Sequence, residues 1–208
     1  MLEIPETRTI AEQCNSVIRG KKIRFAQANA SPHGFAFYHD DPASYPALLE
    51  GSTIGETYAY SGMVEVEAGK TRLLIGDGIN MRYLAPEKEP PKKHQLYILF
   101  EDSSSIVCTI QMYGGIWVYS EGENDNPYYL IAKQKPNPLT DEFTESYFMD
   151  LFDGVKPSMS AKGFLATEQR IPGLGNGVLQ DILFNARVNP KTKIQFLDTG
   201  EKRVFSKA

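Results

Sequence analysis

Six short runs of β-branched and aromatic residues before residue 120 predict β-strands. Turn-forming clusters such as Gly76-Asp77-Gly78 and Pro90-Pro91 separate them. The runs are Phe35–Tyr38, Met63–Glu67, Leu73–Ile75, Leu96–Phe100, Ile106–Ile110 and Ile116–Tyr119. Many short strands separated by turns are typical of a β-sandwich or barrel, and the strand-like pattern extends from Ile23 to about Ile131.

A helical pattern precedes this region. Residues 5–19 predict an amphipathic helix with one apolar face, formed by Ile10, Cys14, Val17 and Ile18. Pro5 suits the first turn of this helix, and Gly20 suits its C-terminal end.

A second helical pattern follows the strand-like region. The segment Lys133–Pro138 contains two prolines and few apolar residues, which is typical of a linker. Beyond it, helical spacing returns at Phe143, Tyr147, Phe148, Leu151 and Phe152. The sequence therefore predicts an α+β fold in three parts: an N-terminal β-sandwich domain with its flanking helix over residues 1–132, a linker over 133–142 and a helical domain over 143–208.

Composition and cysteine usage exclude several classes of protein. No apolar run in the 208 residues approaches the roughly 18 needed to cross a membrane, and the N-terminus lacks the layout of a signal peptide. Cys14 and Cys108 are far apart, which predicts no disulfide framework and a reducing, cytoplasmic setting. Without a Cys-x-x-Cys pair or a close His/Cys cluster, we expect no bound metal or other cofactor.

A glycine-rich turn that opens a helix is the main candidate binding feature. Gly173, Gly175 and Gly177 permit positive φ, and a helix from about Val178 directs backbone N–H groups at the turn. Asn176 adds a side-chain amide donor. An apolar stripe predicts how this helix packs, through Val178, Ile182, Leu183 and Ala186. The turn suits an anion such as phosphate; a tight turn between two packed helices is the alternative interpretation.

The charge distribution is uneven. The chain has a net charge of −4, but the segment from residue 155 onward contains nine basic and four acidic residues. This segment therefore carries +5 and the rest of the chain −9. A basic helical module is consistent with local phosphate binding, and an ordinary solvated helical surface explains the same charges.

Several separated motifs together resemble one family, the formamidopyrimidine-DNA glycosylase / endonuclease VIII family. Its members begin Met-Pro-Glu-Leu-Pro-Glu and carry a helix–two-turn–helix module around a Gly-(Ile/Leu/Val)-Gly-Asn turn. The similar segments here occur in the same order: Met1–Thr9, Pro91–His94, Tyr113–Trp117, Pro138–Phe143, Lys162–Arg170 and the glycine turn. The resemblance covers residues 1 to about 195 and implies a helix–two-turn–helix module in the C-terminal domain.

The resemblance also implies roles for the N-terminal residues. In the family, removal of Met exposes a proline whose amine attacks the sugar C1′ of a damaged nucleotide; Leu2 stands in its place. Because leucine is bulky, we expect Met1 to remain, which displaces the amine by about one residue, roughly 3.5 Å. Glu3 matches the catalytic glutamate, and Glu6 matches a second carboxylate or, alternatively, stabilises the helix dipole.

For DNA binding, the resemblance implies contacts in both domains. Lys162 and Asn176 match the phosphate contacts of the helical module. The further candidates for DNA contact are Gly173, Gly175, Arg170, Lys191 and, alternatively structural, His94. Three family positions have changed type: the phosphate-binding lysine aligns with Ser61 or Tyr60, an arginine aligns with Met112, and the methionine wedge aligns near Asp77.

Many family members end in a four-cysteine zinc finger, whereas this sequence stops at Ala208. A natural short form and a truncated chain are both compatible with that ending, and no zinc is expected in the chain as given.

Three functions follow from these patterns. The first is a DNA glycosylase or abasic-site lyase of base-excision repair, and the second is an impaired relative that only binds damaged or abasic DNA. The third is a helix–two-turn–helix module that serves RNA or protein assembly. The expected partner is damaged or abasic double-stranded DNA. We expect the protein to be a monomer that does not associate with a membrane. The patterns do not specify the lesion.

Overall fold

The computed structural model describes residues 2–205. These residues belong to two compact units, which are divided in the sequence between Asp125 and Asn126. No helix within the described residues is long and apolar enough to span a membrane.

The first unit contains two mostly antiparallel β-sheets and two α-helices. The helices are α1 (Ile4–Val17) and α2 (Tyr45–Leu49). The strands are β1 (Ile23–Ala28), β2 (Ala36–Tyr38), β3 (Ile54–Tyr60), β4 (Met63–Ala68), β5 (Thr71–Ile75), β6 (Ile79–Leu84), β7 (Leu96–Phe100), β8 (Ser105–Ile110) and β9 (Gly114–Ser120). One sheet has the order β1-β7-β8-β6 and the other β2-β9-β5-β4-β3, with β2 and β9 parallel.

Both sheets contribute to one apolar core. Ile98 and Phe100 enter it from the four-stranded sheet, and Val64, Leu73 and Val118 enter it from the five-stranded sheet. All five side chains are at most 1% exposed. Residues that alternate inward from two facing sheets are the defining feature of a sandwich, so the predicted α+β fold with an N-terminal β-sandwich is confirmed.

Helix α1 starts at a capping box. Glu3 is the N-cap residue, and its backbone N–H donates to Glu6 Oε2 over 3.2 Å. Pro5 lies in the first turn, where its missing N–H costs no hydrogen bond. The carboxylate of Glu6 therefore has a structural task at the helix start, a hydrogen bond that was not predicted from the sequence.

The buried face of α1 differs from the predicted one. Its buried residues are Ile4, Thr7, Ala11 and Cys14. Ile10 is half-buried and Val17 is 39% exposed, although both were expected on the apolar face. Thr7 can be buried on this face because its hydroxyl is hydrogen-bonded to the carbonyls of Ile4 and Ser61.

The strands differ in how clearly the sequence marks them. Each of the six apolar runs forms a strand, with ends that differ by at most two residues from the predicted ones. The remaining three strands, β1, β3 and β6, carry exposed or half-buried residues at most positions, so they lack a continuous apolar run.

Trp117 on β9 packs closely over two glycines. A Cβ at Gly115 would lie 1.9 Å from the indole and a Cβ at Gly76 would lie 2.5 Å from it, so a larger residue at either position would displace the ring. Trp117 is the single tryptophan of the sequence.

The second unit is helical in its described residues. It contains α3 (Pro127–Gln134), α4 (Glu145–Asp150), α5 (Ala161–Ala166), α6 (Asn176–Asn185) and α7 (Thr199–Phe205), and a 3₁₀ turn at Ile194–Phe196. Aromatic rings dominate its interior. Phe148 and Phe164 are at most 1% exposed, and the rings of Phe152 and Phe164 stack with centroids 4.0 Å apart.

Helix α3 corrects the strand-like interpretation of the sequence up to Ile131. Asn126 caps this helix by accepting the Tyr128 N–H over 2.9 Å, and Pro127 fits its first turn. The helix belongs to the second unit, which therefore begins before residue 132, and it includes the first two residues of the predicted linker.

Candidate functional site

The N-terminal residues of the first unit border a cavity of about 320 Å³. Leu2 lies on one side of it. The rest of the lining comes from the turn between β5 and β6, the start of β6, and the turn between β8 and β9; its residues are Asp77, Gly78, Ile79, Asn80, Gln111, Met112 and Tyr113. The polar residues in this lining can accept and donate hydrogen bonds to a ligand that enters beside residue 2.

Asp77 connects the N-terminal residues to the rest of the cavity lining. Its Oδ1 accepts the backbone N–H of Leu2 over 2.9 Å, and its Oδ2 accepts the hydroxyl of Tyr113 over 3.0 Å. The hydrogen bond to Asp77 raises the pKa of Tyr113, because it stabilises the protonated phenol beside a carboxylate. One carboxylate thus joins segments that are 75 and 36 residues away from it in sequence.

The two turns approach each other where Gly78 stands. Gly78 has φ +79°, and a Cβ at this position would lie 1.7 Å from the carbonyl oxygen of Tyr113. A glycine is therefore required both by the backbone conformation and by the lack of space.

Glu3 lies next to this cavity in the chain. It is 8% exposed and caps α1, whereas Glu6 is exposed on the first turn. A buried carboxylate immediately after residue 2 is compatible with the acid/base role that the resemblance implies, and this role stays a prediction.

The changed family positions in the sheets fall at turns. Ser61, in the turn between β3 and β4, is 4% exposed with φ +60°, and Tyr60 is half-buried. Met112 is 74% exposed at the turn before β9. None of these side chains is cationic, so these positions supply no positive charge for a phosphate.

The glycine turn in the second unit leads directly into α6. Gly175 is the N-cap residue and Asn176 is the first residue of the helix, with an exposed side chain. Gly173 has φ +76°, whereas Gly175 has φ −88° and Gly177 lies inside the helix, so one of the three glycines uses the left-handed conformation. The buried residues of α6 are Leu179 and Leu183; of the predicted stripe, Val178, Ile182 and Ala186 are half-buried.

The start of α5 lies against residues 190–193, so that three lysines are on adjacent segments of backbone. The Ala161 N–H donates to Thr192 O over 2.7 Å, and the Lys162 N–H donates to Pro190 O over 3.1 Å. An isolated antiparallel bridge joins Ser160 and Lys193. The side chains of Lys162, Lys191 and Lys193 are all exposed. Lys193 is an addition to the sequence-based candidates, and its place in the basic C-terminal segment was the only signal for it.

Arg170 was a candidate for DNA contact, but it is buried at 8% exposure. Its guanidinium donates to the carbonyls of Phe164 and Thr167, each over 3.3 Å, and forms an ion pair with Glu168. It also lies over the Phe164 ring, 5.4 Å from the centroid. We therefore assign Arg170 to the interior of the second unit and not to a DNA-contacting surface.

His94, a basic candidate in the first unit, is also 8% exposed. Its Nδ1 lies 2.8 Å from the carbonyl of Pro91, which can only accept, so Nδ1 donates. The ring packs against Tyr97 at 5.8 Å. These contacts fit the alternative structural interpretation of His94, while its Nε2 is buried without a hydrogen-bond partner, so a phosphate contact stays a prediction.

Within residues 2–205, no group of three or more His, Cys, Asp or Glu side chains is placed to hold a metal ion. Cys14 and Cys108 are buried in the core of the first unit. Burial raises the pKa of the Cys14 thiol to about 11 and raises that of Cys108 further, which disfavours the thiolate that zinc requires. These residues do not fit the zinc finger of the family.

Comparison with solved structures shows that the same fold occurs in known proteins. A complex of Lactococcus lactis Fpg with DNA containing an abasic site matches 99% of this chain and 74% of that chain, with a TM-score of 0.80 and 22% identity. A structure of MutM with DNA containing carbocyclic 8-oxo-G matches 99% and 76%, with the same TM-score and identity.

Sequence comparison extends over the same length. No protein-family model matches the chain. A formamidopyrimidine-DNA glycosylase of Symbiobacterium thermophilum is 26% identical over 204 residues, which cover 97% of this chain and 65% of the relative. The same enzyme of Legionella pneumophila is 24% identical over 205 residues, covering 97% and 72%.

Over nearly its whole length, the chain is similar in sequence and in fold to formamidopyrimidine-DNA glycosylases. It spans about two thirds of the length of these glycosylases, 65% of the first relative named above. The part that it covers includes both the N-terminal cavity and the glycine turn. The roles that the glycosylase family implies for Leu2, Glu3, Lys162 and Asn176 remain predictions for this chain.

Proposed function

We propose that this protein binds duplex DNA at abasic or oxidatively damaged sites, as a DNA-repair protein. The observation that carries the proposal is the exposure of Lys162 and Asn176, the two residues that the sequence resemblance aligns with phosphate contacts. The buried Glu3, which follows the cavity-lining Leu2 in the chain, supports a role at the sugar.

Phosphate binding follows from the chemistry of the second unit. An amide at Asn176 donates a directed hydrogen bond to a phosphate oxygen. The ammonium groups of Lys162, Lys191 and Lys193 add charge that releases condensed counterions from DNA. Such contacts fix the position of the backbone and carry no sequence information, so affinity from this surface is expected to be independent of sequence.

Chemistry at the sugar has a weaker basis. A lyase of this kind uses a neutral amine, which attacks C1′ of the opened sugar and loses water to give a Schiff base. Here the nitrogen of residue 2 is a backbone N–H that donates to Asp77. We therefore place binding first; an active glycosylase or lyase that uses the amine of Met1 is the second candidate, favoured by the retained Glu3.

Two measurements on the full chain test the proposal. Binding is measured on a duplex with a tetrahydrofuran abasic analogue, an undamaged duplex of the same sequence, and an RNA duplex. We expect preference for the abasic duplex and weakened binding in Asn176→Ala, by about 1 kcal/mol on every duplex. Asn185→Ala, exposed at the other end of α6, is the matched control. Equal affinity for the RNA duplex contradicts the proposal.

Borohydride trapping on a natural abasic duplex separates the two candidates. Reduction of a Schiff base would join protein and DNA covalently, and mass spectrometry would locate the attached residue. Binding without an adduct is expected for a binding protein, and an adduct at the amine of Met1 establishes the lyase.

A further inference from the structure

The nitrogen of residue 2 occupies a defined position in the first unit. It lies 2.9 Å from Asp77 Oδ1, while the other oxygen of the same carboxylate accepts the Tyr113 hydroxyl over 3.0 Å. Leu2 also packs partly buried against the apolar core. Residue 2 is thus held at the border of the cavity by its backbone N–H and by its apolar side chain.

We propose that Asp77 is a positioning residue that anchors the nitrogen of residue 2 as a hydrogen-bond donor, so that the N-terminal cavity receives an abasic sugar without a nucleophile at this nitrogen. For its DNA ligand the inference rests on the proposed function. For the anchor itself it rests on the contacts of Asp77 alone.

Two physical reasons disfavour nucleophilic attack from this position. The lone pair of a peptide nitrogen is delocalised into the carbonyl, so an amide does not attack a sugar carbon. In addition, a carboxylate at hydrogen-bond distance favours the charged form of any amine placed there, because opposite charges stabilise each other. A free amine at residue 2 would therefore be neutral, and able to attack carbon, in a smaller fraction of molecules at a given pH.

The titratable groups around this nitrogen are few. Asp77 and Tyr113 are the titratable side chains of the cavity lining. Glu3 and Glu6 follow on the same chain segment, where they form the capping box of α1. Of these groups, Asp77 is the one whose carboxylate contacts the nitrogen of residue 2, and Tyr113 contacts Asp77 from the opposite turn.

The first experiment measures the anchor in the unmodified N-terminus. Exchange of the Leu2 amide proton with water is followed by NMR in the full chain and in Asp77→Ala and Asp77→Asn. Loss of a hydrogen bond to a charged acceptor is expected to accelerate exchange about tenfold in Asp77→Ala, with Asp77→Asn between the two. Tyr113→Phe keeps the carboxylate and is the matched control, expected to stay within about twofold. An unchanged rate in both Asp77 variants overturns the anchor.

The second experiment places an amine at the anchored nitrogen. Leu2→Pro is treated with methionine aminopeptidase, and mass spectrometry verifies that residue 2 has become the N-terminus. The rate of reductive methylation of its amine by formaldehyde and cyanoborohydride is then measured against pH, with and without Asp77→Asn. Removing the carboxylate is expected to lower the pKa of the amine by about one unit, which makes the double variant react about tenfold faster near pH 7.

Equal rates and equal pH midpoints in these two variants overturn the inference. Neither measurement needs DNA, so each tests the Asp77 anchor separately from the proposed function. If the abasic duplex is not bound while both Asp77 effects are found, the proposed function is wrong and the anchor stands. If the duplex is bound and both Asp77 effects are missing, the anchor is wrong and the proposed function stands.

Discussion

At the scale of single residues, burial distinguishes the basic side chains that are free to meet a ligand from those that hold the protein together. Lys162 and Lys191 are exposed, whereas Arg170 and His94 are each 8% exposed and hydrogen-bonded to backbone carbonyls. A residue type that suits phosphate therefore has a different task when it is enclosed by its own chain.

Arg170→Met tests this distinction. The substitution leaves the carbonyl of Phe164 and its neighbours without their buried donor, so we expect the free energy of unfolding to fall by about 2–4 kcal/mol. Lys162→Met, on the exposed side of α5, is expected to change it by less than about 0.5 kcal/mol while weakening DNA binding. Urea unfolding and duplex titration measure the two effects; equal stability of the two variants would return Arg170 to the candidate DNA contacts.

At the scale of elements, turns carry more of the candidate site than helices or strands do. The turn before β6 supplies Asp77 and Gly78, and the turn before β9 supplies Met112 and Tyr113. Turns place residues from distant parts of the sequence side by side, while the sheets fix where each turn begins. The cavity beside residue 2 depends on this close approach.

Gly78→Ala is expected to disrupt that approach. Its new Cβ meets the Tyr113 carbonyl at 1.7 Å in addition to the unfavourable φ of +79°, so we expect a loss of at least about 2 kcal/mol of stability. Gly20→Ala is a matched control, because Gly20 has φ +80° with no atom within 4 Å of the added Cβ. It should lose only about 1 kcal/mol from the left-handed conformation. Similar losses in both variants, measured by thermal unfolding, would rule out the steric contribution.

The turn between β7 and β8 gives a prediction about pH. The hydrogen bond from Lys21 lowers the pKa of Asp102 from its ordinary 3.8 to about 2, and hydrogen bonds from Ser104 add to the shift. Because the folded pKa is lowered, the stabilisation is complete above pH 4 and is lost as the pH falls from 4 to 2. The thermal midpoint of the unmodified chain should exceed that of Asp102→Asn above pH 4, with the difference vanishing near pH 2.

At the scale of the whole molecule, charge is divided between the two parts of the sequence. Residues from 155 onward carry +5 and the preceding residues carry −9. A net charge of −4 therefore does not argue against a polyanionic ligand, because the field near the basic part decides the encounter.

Salt dependence measures how many of these charges meet phosphate. The slope of log affinity against log salt for the abasic duplex should fall by about 0.9 for each lysine removed, in Lys162→Gln and in Lys191→Gln. Lys70→Gln, exposed between β4 and β5 in the acidic part, should leave the slope unchanged. An unaltered slope in Lys162→Gln would exclude its phosphate contact.

The fold could be predicted from the sequence wherever one residue pattern decided it. The run Leu96–Phe100 forms a strand because it is apolar throughout, whereas β3 alternates with polar and half-buried positions and has no such run. Helix α3 was mistaken for strand because Tyr128, Tyr129 and Ile131 favour strands locally, and the capping by Asn126 decides otherwise.

The candidate site was less accessible to sequence reasoning. Glu3 and the helix after the glycine turn, predicted from about Val178 and observed from Asn176, followed from local motifs and from the resemblance to the glycosylase family. The contact of Asp77 with Leu2 joins residues 75 positions apart, and no periodicity or spacing encodes such a pair. The burial of Arg170 likewise depends on the aromatic residues that surround it, Phe164 above all.

The position of Trp117 has a consequence for spectroscopy. The only tryptophan of the chain lies in the first unit, so intrinsic indole emission reports the unfolding of that unit alone. Far-ultraviolet circular dichroism is dominated by helices, which make up most of the second unit's regular structure. Superimposable transitions from the two signals would mean that both units unfold cooperatively, and separated transitions would give each unit its own melting temperature.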